Sequence, residues 1–118
     1  MAIIGAHMLF HTPEAEALRA LLRDAFNLDS VDAGGGWLIF KLPPSELGVH
    51  PADSSQAHHE ISFMCDDIHA TIGQLRAKGV KLEGEPKQQG FGTTVSMTLP
   101  GGLSVLLYEP RHALAIVK

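Results

Sequence analysis

The chain has 118 residues, 45% of them hydrophobic and 19% charged, which suits one folded domain that removes roughly two thirds of its unfolded surface from water. Nine basic against thirteen acidic residues give a formal charge of −4, so no broad cationic face is available for nucleic-acid phosphates or an anionic membrane. Cys65 is the single cysteine, which excludes a disulfide framework or a cysteine zinc cluster within one chain and predicts an inert, buried thiol.

The opening stretch MAIIGAHMLF lacks the basic start and small-residue cleavage site of a signal peptide. No apolar run approaches the ~20 residues of a membrane span, so a cytoplasmic protein is expected. Ile3 to Phe10 alternates as a half-buried strand does, with Ala6, Met8 and Phe10 on one face and Gly5, His7 and Leu9 on the other. Thr12 and Pro13 then predict a helix start, with Thr12 as cap and Glu14 and Glu16 suited to the positive helix end. Ala17, Leu18, Leu21, Leu22, Ala25 and Phe26 give that helix an apolar face. Ser30 to Ala33 and Trp37 to Leu42 read as strands around a Gly34-Gly35-Gly36 turn, and Pro43-Pro44 ends the second. Leu47 to His50 is expected as a short fourth strand, followed by the polar linker PADSSQA.

The pattern then restarts. Glu60 to Cys65 alternates, Asp66 or Asp67 caps a helix striped by Ile68, Ile72 and Leu75, and Gly79 ends it. Val80 to Glu83, Thr93 to Leu99 and Leu103 to Tyr108 supply three more strands, the last two joined by PGG. Each half therefore reads strand, helix, strand, strand, strand. A unit of this length cannot cover its own apolar face, so two units are expected to combine into a curved sheet assembly with helices outside, an α+β fold. The stretch QQGFG suggests either a plain loop or a mobile one over the inner face.

The stretch HEISFMCDDIHATIGQLRAKGVKL, followed by QQGFGTTVSMTLPGGLSVLLYEP, resembles the second module of the vicinal oxygen chelate superfamily, which includes glyoxalase I, bleomycin-resistance proteins and extradiol dioxygenases. AHMLFHTPEAEALRALLRDAF and GGGWLIFKLP resemble the first module more weakly. The resemblance spans about residues 3–110. It implies a single domain of two βαβββ modules, about 3–51 and 59–110, with a tail at 111–118. It also implies a concave cavity for a small organic ligand, often a divalent metal, and commonly a homodimer.

Carried over position by position, the metal-ligand places of that superfamily fall on Gly5, Gly48, Glu60 and Leu106, of which only Glu60 carries a donor. Zinc or nickel needs three or four donors converging at about 2.0–2.3 Å, so the usual metal centre is expected to be missing. Side chains two steps along each strand face the same way: His7, His50, Ser62 and Tyr108 join Glu60 on the inner face, while Ala6, Leu47, Val49, Ile61, Phe63, Val105 and Leu107 suit the helix side. His7, Glu60 and Tyr108 are the candidate catalytic residues, and His50, Ser62, Trp37 and Phe91 the candidate ligand contacts. His7, His50 and Glu60 form an alternative, shifted metal set for Zn, Ni, Fe or Mn. His58, His59, His69 and His112 read as solvated, His11 as a loop contact, and Glu60 as a pocket residue paired with an imidazole. The apolar tail ALAIVK is expected to cover a strand edge or a second subunit. Two readings remain open: a lyase, isomerase or dioxygenase using a shifted metal or acid–base groups alone, and a non-catalytic protein that sequesters a drug or metabolite.

Overall fold

A computed structural model of the chain describes residues 7–48, 51 and 59–117. The elements run α1 (Ala15–Asp24), β1 (Ser30–Asp32), β2 (Leu38–Phe40), β3 (Ser62–Met64), α2 (Ile68–Ala77), β4 (Lys81–Gln89), β5 (Gly92–Leu99) and β6 (Leu103–Pro110), with a 3-10 turn at Ala115–Val117. The fold is α+β, and its second half is a complete strand, helix, strand, strand, strand unit.

That second half is one mixed sheet in the order β3-β6-β5-β4, with β3 parallel to β6 and the other pairs antiparallel. Strand periodicity sorts its side chains. Val95, Met97 and Leu99 on β5, Val105 and Leu107 on β6 and Leu82 on β4 are buried on the helix side with Ile68, Ile72 and Leu75 of α2. Ser96, Thr98, Ser104, Leu106 and Ser62 take the opposite, more open face. The parallel β3–β6 pair needs a crossover, and α2 supplies it at the expected place. Asp67 caps α2 by accepting the Ala70 amide at 3.2 Å, and Glu109 accepts the Ile68 amide at 2.8 Å. At the far end Gly79, with φ +86°, lets the Val80 amide reach the Leu75 carbonyl and its own amide reach that of Arg76, both at 3.0 Å.

The first half is sparser. β1 and β2 form a separate two-stranded antiparallel sheet, turned by Gly34, Gly35 and Gly36, all at positive φ. The expected strand over Ile3 to Phe10 falls partly outside the described residues. Among the described residues, His7 to Phe10 form no regular strand; Met8 and Leu9 stay 46% and 58% exposed, while Phe10 packs against the core. In the expected fourth strand, Leu47 and Gly48 are also irregular, Leu47 being 91% exposed; Val49 and His50 lie outside the described residues.

The start of α1 differs from its expected cap. Glu14, not Thr12, holds the cap position, and its side chain makes no capping bond. The Thr12 hydroxyl still accepts the Glu14 amide at 3.2 Å and also donates to the Pro100 carbonyl at 2.9 Å, while the Glu14 carboxylate accepts the Gly101 amide at 2.7 Å. The last two bonds clasp the entry to α1 onto the β5–β6 turn. Thr12 occupies the space a Cβ at Gly101 would need, and φ there is +89°, so glycine is required twice over. Downstream, Leu18 and Ala25 are buried in the second half's core, and Phe26 meets Phe63 edge to face at 5.1 Å. Among the described residues, no helix is long and apolar enough to cross a membrane.

Candidate functional site

An open hollow of about 460 Å³ lies at the entry to β3 and the start of β6. Leu9 and Phe10 form one wall; His59, Glu60 and Ile61, leading into β3, and Ser104, Val105 and Leu106 at the start of β6 form the other. The lining follows from local structure. β3 and β6 run parallel with Ser62 opposite Leu106, so Glu60 and Ser104 come to the same level of the sheet. Leu106, Phe10, Val105 and Ile61 supply an apolar body; His59, Glu60 and Ser104 supply a few polar groups. The hollow's volume falls within the range of small-molecule sites, though it is open rather than enclosed. A second hollow of about 450 Å³ lies between the helices, lined by Ala20, Leu21, Asp24, Ala25 and Lys78. Its ammonium group is already committed, donating to the Asp24 carbonyl at 3.2 Å.

The expected inner ring is only partly assembled. Glu60 lines the first hollow, and Ser62, one step further on the same face, is exposed. His7 is exposed but does not line the hollow, and His50 lies outside the described residues. Tyr108 lies level with Met64, four positions along from Glu60, or about 13 Å at ~3.3 Å per residue. The two therefore mark opposite ends of the open face. His59, expected to be a solvated lip, lines the hollow beside Glu60.

The Tyr108 end is a different construction. Its hydroxyl donates to the Phe91 carbonyl at 3.1 Å, and the Arg111 amide donates to the same oxygen at 2.9 Å. Phe91 and Tyr108 rings meet edge to face at 5.8 Å, and the His112 ring lies tilted 5.8 Å beyond Tyr108. The QQGFG stretch is a tight turn rather than a long loop, because Gln89 already pairs with Gly92. Burial, with the Glu46 carboxylate adding to it, pushes the Tyr108 phenol above its ordinary range. With its hydroxyl donating to a backbone carbonyl, this phenol ties the turn to β6.

Glu46 was not legible as a functional residue. Its carboxylate accepts the Ala115 amide at 3.2 Å and lies 3.9 Å from His112 Nδ1, so the C-terminal segment docks on the first half of its own chain. The residue sits just after the Pro43-Pro44 stop, and nothing in the spacing points from there to a tail 69 residues later. Trp37 lies 59% exposed with the Arg19 guanidinium 5.4 Å from its ring centre, on the α1 side of the hairpin. Cys65 is half-buried, and burial raises its thiol above the ordinary range against an opposing hydrogen bond from Thr71.

The donor set does not fit the divalent ion that the resemblance implies at its usual place. Leu106 presents hydrocarbon to the open face, Gly48 has no side chain, and among the described residues no three His, Cys, Asp or Glu side chains converge. The shifted set depends on His50, outside the described residues.

No family model matches the chain, and no curated protein matches it in sequence. Solved structures do match in fold. TnmS3, an antibiotic binding protein from Streptomyces sp. CB03234, is 20% identical, with a TM-score of 0.63 over 93% of this chain and 99% of its own. Lactoylglutathione lyase from Agrobacterium tumefaciens is 19% identical, with a TM-score of 0.64 over 92% and 96%. The fosfomycin resistance protein FosX from Mesorhizobium loti is 17% identical, with a TM-score of 0.56 over 92% and 93%. A further match, from Sphaerobacter thermophilus, is itself described as a member of the glyoxalase/bleomycin resistance protein/dioxygenase superfamily. Strand order, crossover helix and these near full-length matches together give this chain the glyoxalase/bleomycin resistance/dioxygenase fold.

Proposed function

We propose that the chain binds a small organic molecule in the hollow beside β3, without a metal at the fold's usual position. The observation that carries this reading is the lining itself: an apolar cleft about 460 Å³ in size with His59, Glu60 and Ser104 at one end. The antibiotic binding protein among the structural matches supports binding as a sufficient role. Catalysis by an imidazole and a carboxylate, as a lyase or isomerase, is the second reading, favoured by His59 and Glu60 both lining the cleft.

A homodimer belongs to the same proposal. Val31, Trp37 and Ile39 stay 66%, 59% and 38% exposed on one hairpin, and a second copy would cover such side chains. Sedimentation equilibrium at micromolar concentration checks this, and a monomer there counts against it. A cytoplasmic, nucleic-acid-free setting agrees with the lone thiol and the charge of −4.

Leu106 borders the hollow from the open face, so Leu106→Trp fills the space while leaving the helix-side core alone. The neutral dye Nile red should gain fluorescence on the native protein, with binding weakened roughly tenfold or more in the variant. Circular dichroism confirms that the variant is folded. A dye that does not bind, or binds both proteins alike, overturns the assignment.

A further inference from the structure

We infer that the clasp between the entry to α1 and the β5–β6 turn sets the width of the hollow at the entry to β3. Thr12 and Glu14, neither of which lines the hollow, then act as positioning residues for the small molecule proposed to bind there, a role that rests on that binding reading.

The two walls of the hollow are held in different ways. Ser104, Val105 and Leu106 stand on β6, which pairs with β5 on one side and, from Leu106 onward, with β3 on the other, so sheet hydrogen bonds fix that wall. Leu9 and Phe10 belong to no strand among the described residues, so no such ladder sets their distance from β6. Phe10 packs against the core, which anchors one side chain, while Leu9 stays 58% exposed. The course of the backbone through this wall needs a second restraint.

The clasp is placed to supply it. Thr12 follows Phe10 by two residues and Pro100 precedes Ser104 by four, so each side of the clasp is tied to its wall by a short length of chain. The turn passes the restraint on without slack, because the Gly102 amide donates to the Leu99 carbonyl at 3.0 Å and Thr98 pairs with Ser104 just beyond it. On the other side, the Thr12 hydroxyl accepts the Glu14 amide, which couples the two residues that grip the turn. One grips the Pro100 carbonyl and the other the Gly101 amide, so orientation is fixed as well as distance; a single bond would leave a pivot. The bond to the Glu14 carboxylate is charge-assisted, which makes it about twice as strong as a neutral one. A ligand seated between Phe10 and β6 therefore meets a gap whose size is set by side chains outside the hollow.

Nile red reads that gap, since its emission moves to longer wavelength as its surroundings become wetter. In Thr12→Val, which loses the hydroxyl, the dye is expected to bind roughly fivefold more weakly, the scale of one lost hydrogen bond, and to emit at longer wavelength when bound, as a wider cleft admits water. Glu14→Ala should do the same. Thr12→Ser keeps the hydroxyl and should bind and emit as the native chain does. Circular dichroism checks that each variant is folded, and if one is not, the other decides; a loss of folded protein lowers the amount of dye bound without moving the emission of what remains. If the folded variants bind with native affinity, or bind more weakly with the emission maximum unmoved, the clasp does not set the width and only the binding role stands. The same holds if Thr12→Ser weakens binding as much as Thr12→Val. If the native chain does not bind Nile red at all, the binding reading falls and the positioning role with it.

Discussion

The two halves of this chain share a pattern of apolar residues but differ in what they bury. In the second half, β4, β5 and β6 run eight or nine residues each, and Met97 and Leu99 reach 0% and 1% exposure. In the first, β1 and β2 are three residues long, and all of β1 is exposed. The cause lies in where α1 packs. Its apolar face goes to the core of the second half, through Leu18, Ala25 and the Phe26–Phe63 contact, which leaves Val31, Trp37 and Ile39 of the hairpin exposed. A helix belongs energetically to whatever it covers, and here that is the sheet of the other half.

The largest expected effect tests that division directly. Met97→Ala empties a fully enclosed site and should cost about 2–5 kcal/mol in urea unfolding, whereas Val31→Ser, measured below micromolar concentration so that association does not contribute, should stay within about 0.5 kcal/mol. Equal costs would mean the hairpin is as well packed as the sheet. A smaller effect sharpens the position of α1. A double-mutant cycle of Phe26→Leu and Phe63→Leu should return a coupling of about 0.5–1.5 kcal/mol, and a value of zero would detach the helix from the second half's core.

The smallest effect is a pH dependence. Burial raises the Cys65 thiol and the Tyr108 phenol in the folded state, so between their ordinary and raised values the folded chain binds more protons than the unfolded one. Stability is then full below the ordinary thiol range and falls as pH climbs through that range and then the phenol's. Thermal unfolding across alkaline pH should show this slope, and Cys65→Ala should flatten its first part. In the first half the comparable shift is the lowered carboxyl of Asp24, caused by its hydrogen bonds from Arg23, but both side chains are exposed. Asp24→Asn should leave the acid limb of the unfolding curve unchanged.

Strand phase was legible in the sequence, because alternation is a local property. Phe63, Val105 and Leu107 face the helices while Ser62 and Leu106 face away, as the pattern of the residues implied. The Asp67 cap and the Gly79 stop were legible for the same reason. Alternation says nothing of distance along a strand, and Tyr108 lies level with Met64, four positions beyond Glu60. The bonds from Glu46 to Ala115 and from Thr12 to Pro100 join residues 69 and 88 positions apart, beyond the reach of any local rule. His59 read as a lip because its neighbours are polar; only the approach of Leu9 and Phe10 makes that lip a wall.

The clasp between Glu14 and Gly101 has a practical corollary. A backbone proton held by a carboxylate 87 residues away trades with deuterium only when that carboxylate departs. The exchange rate of this one amide therefore acts as a clock for how often the Glu14 carboxylate releases the β5–β6 turn, readable in solution without a label or a ligand.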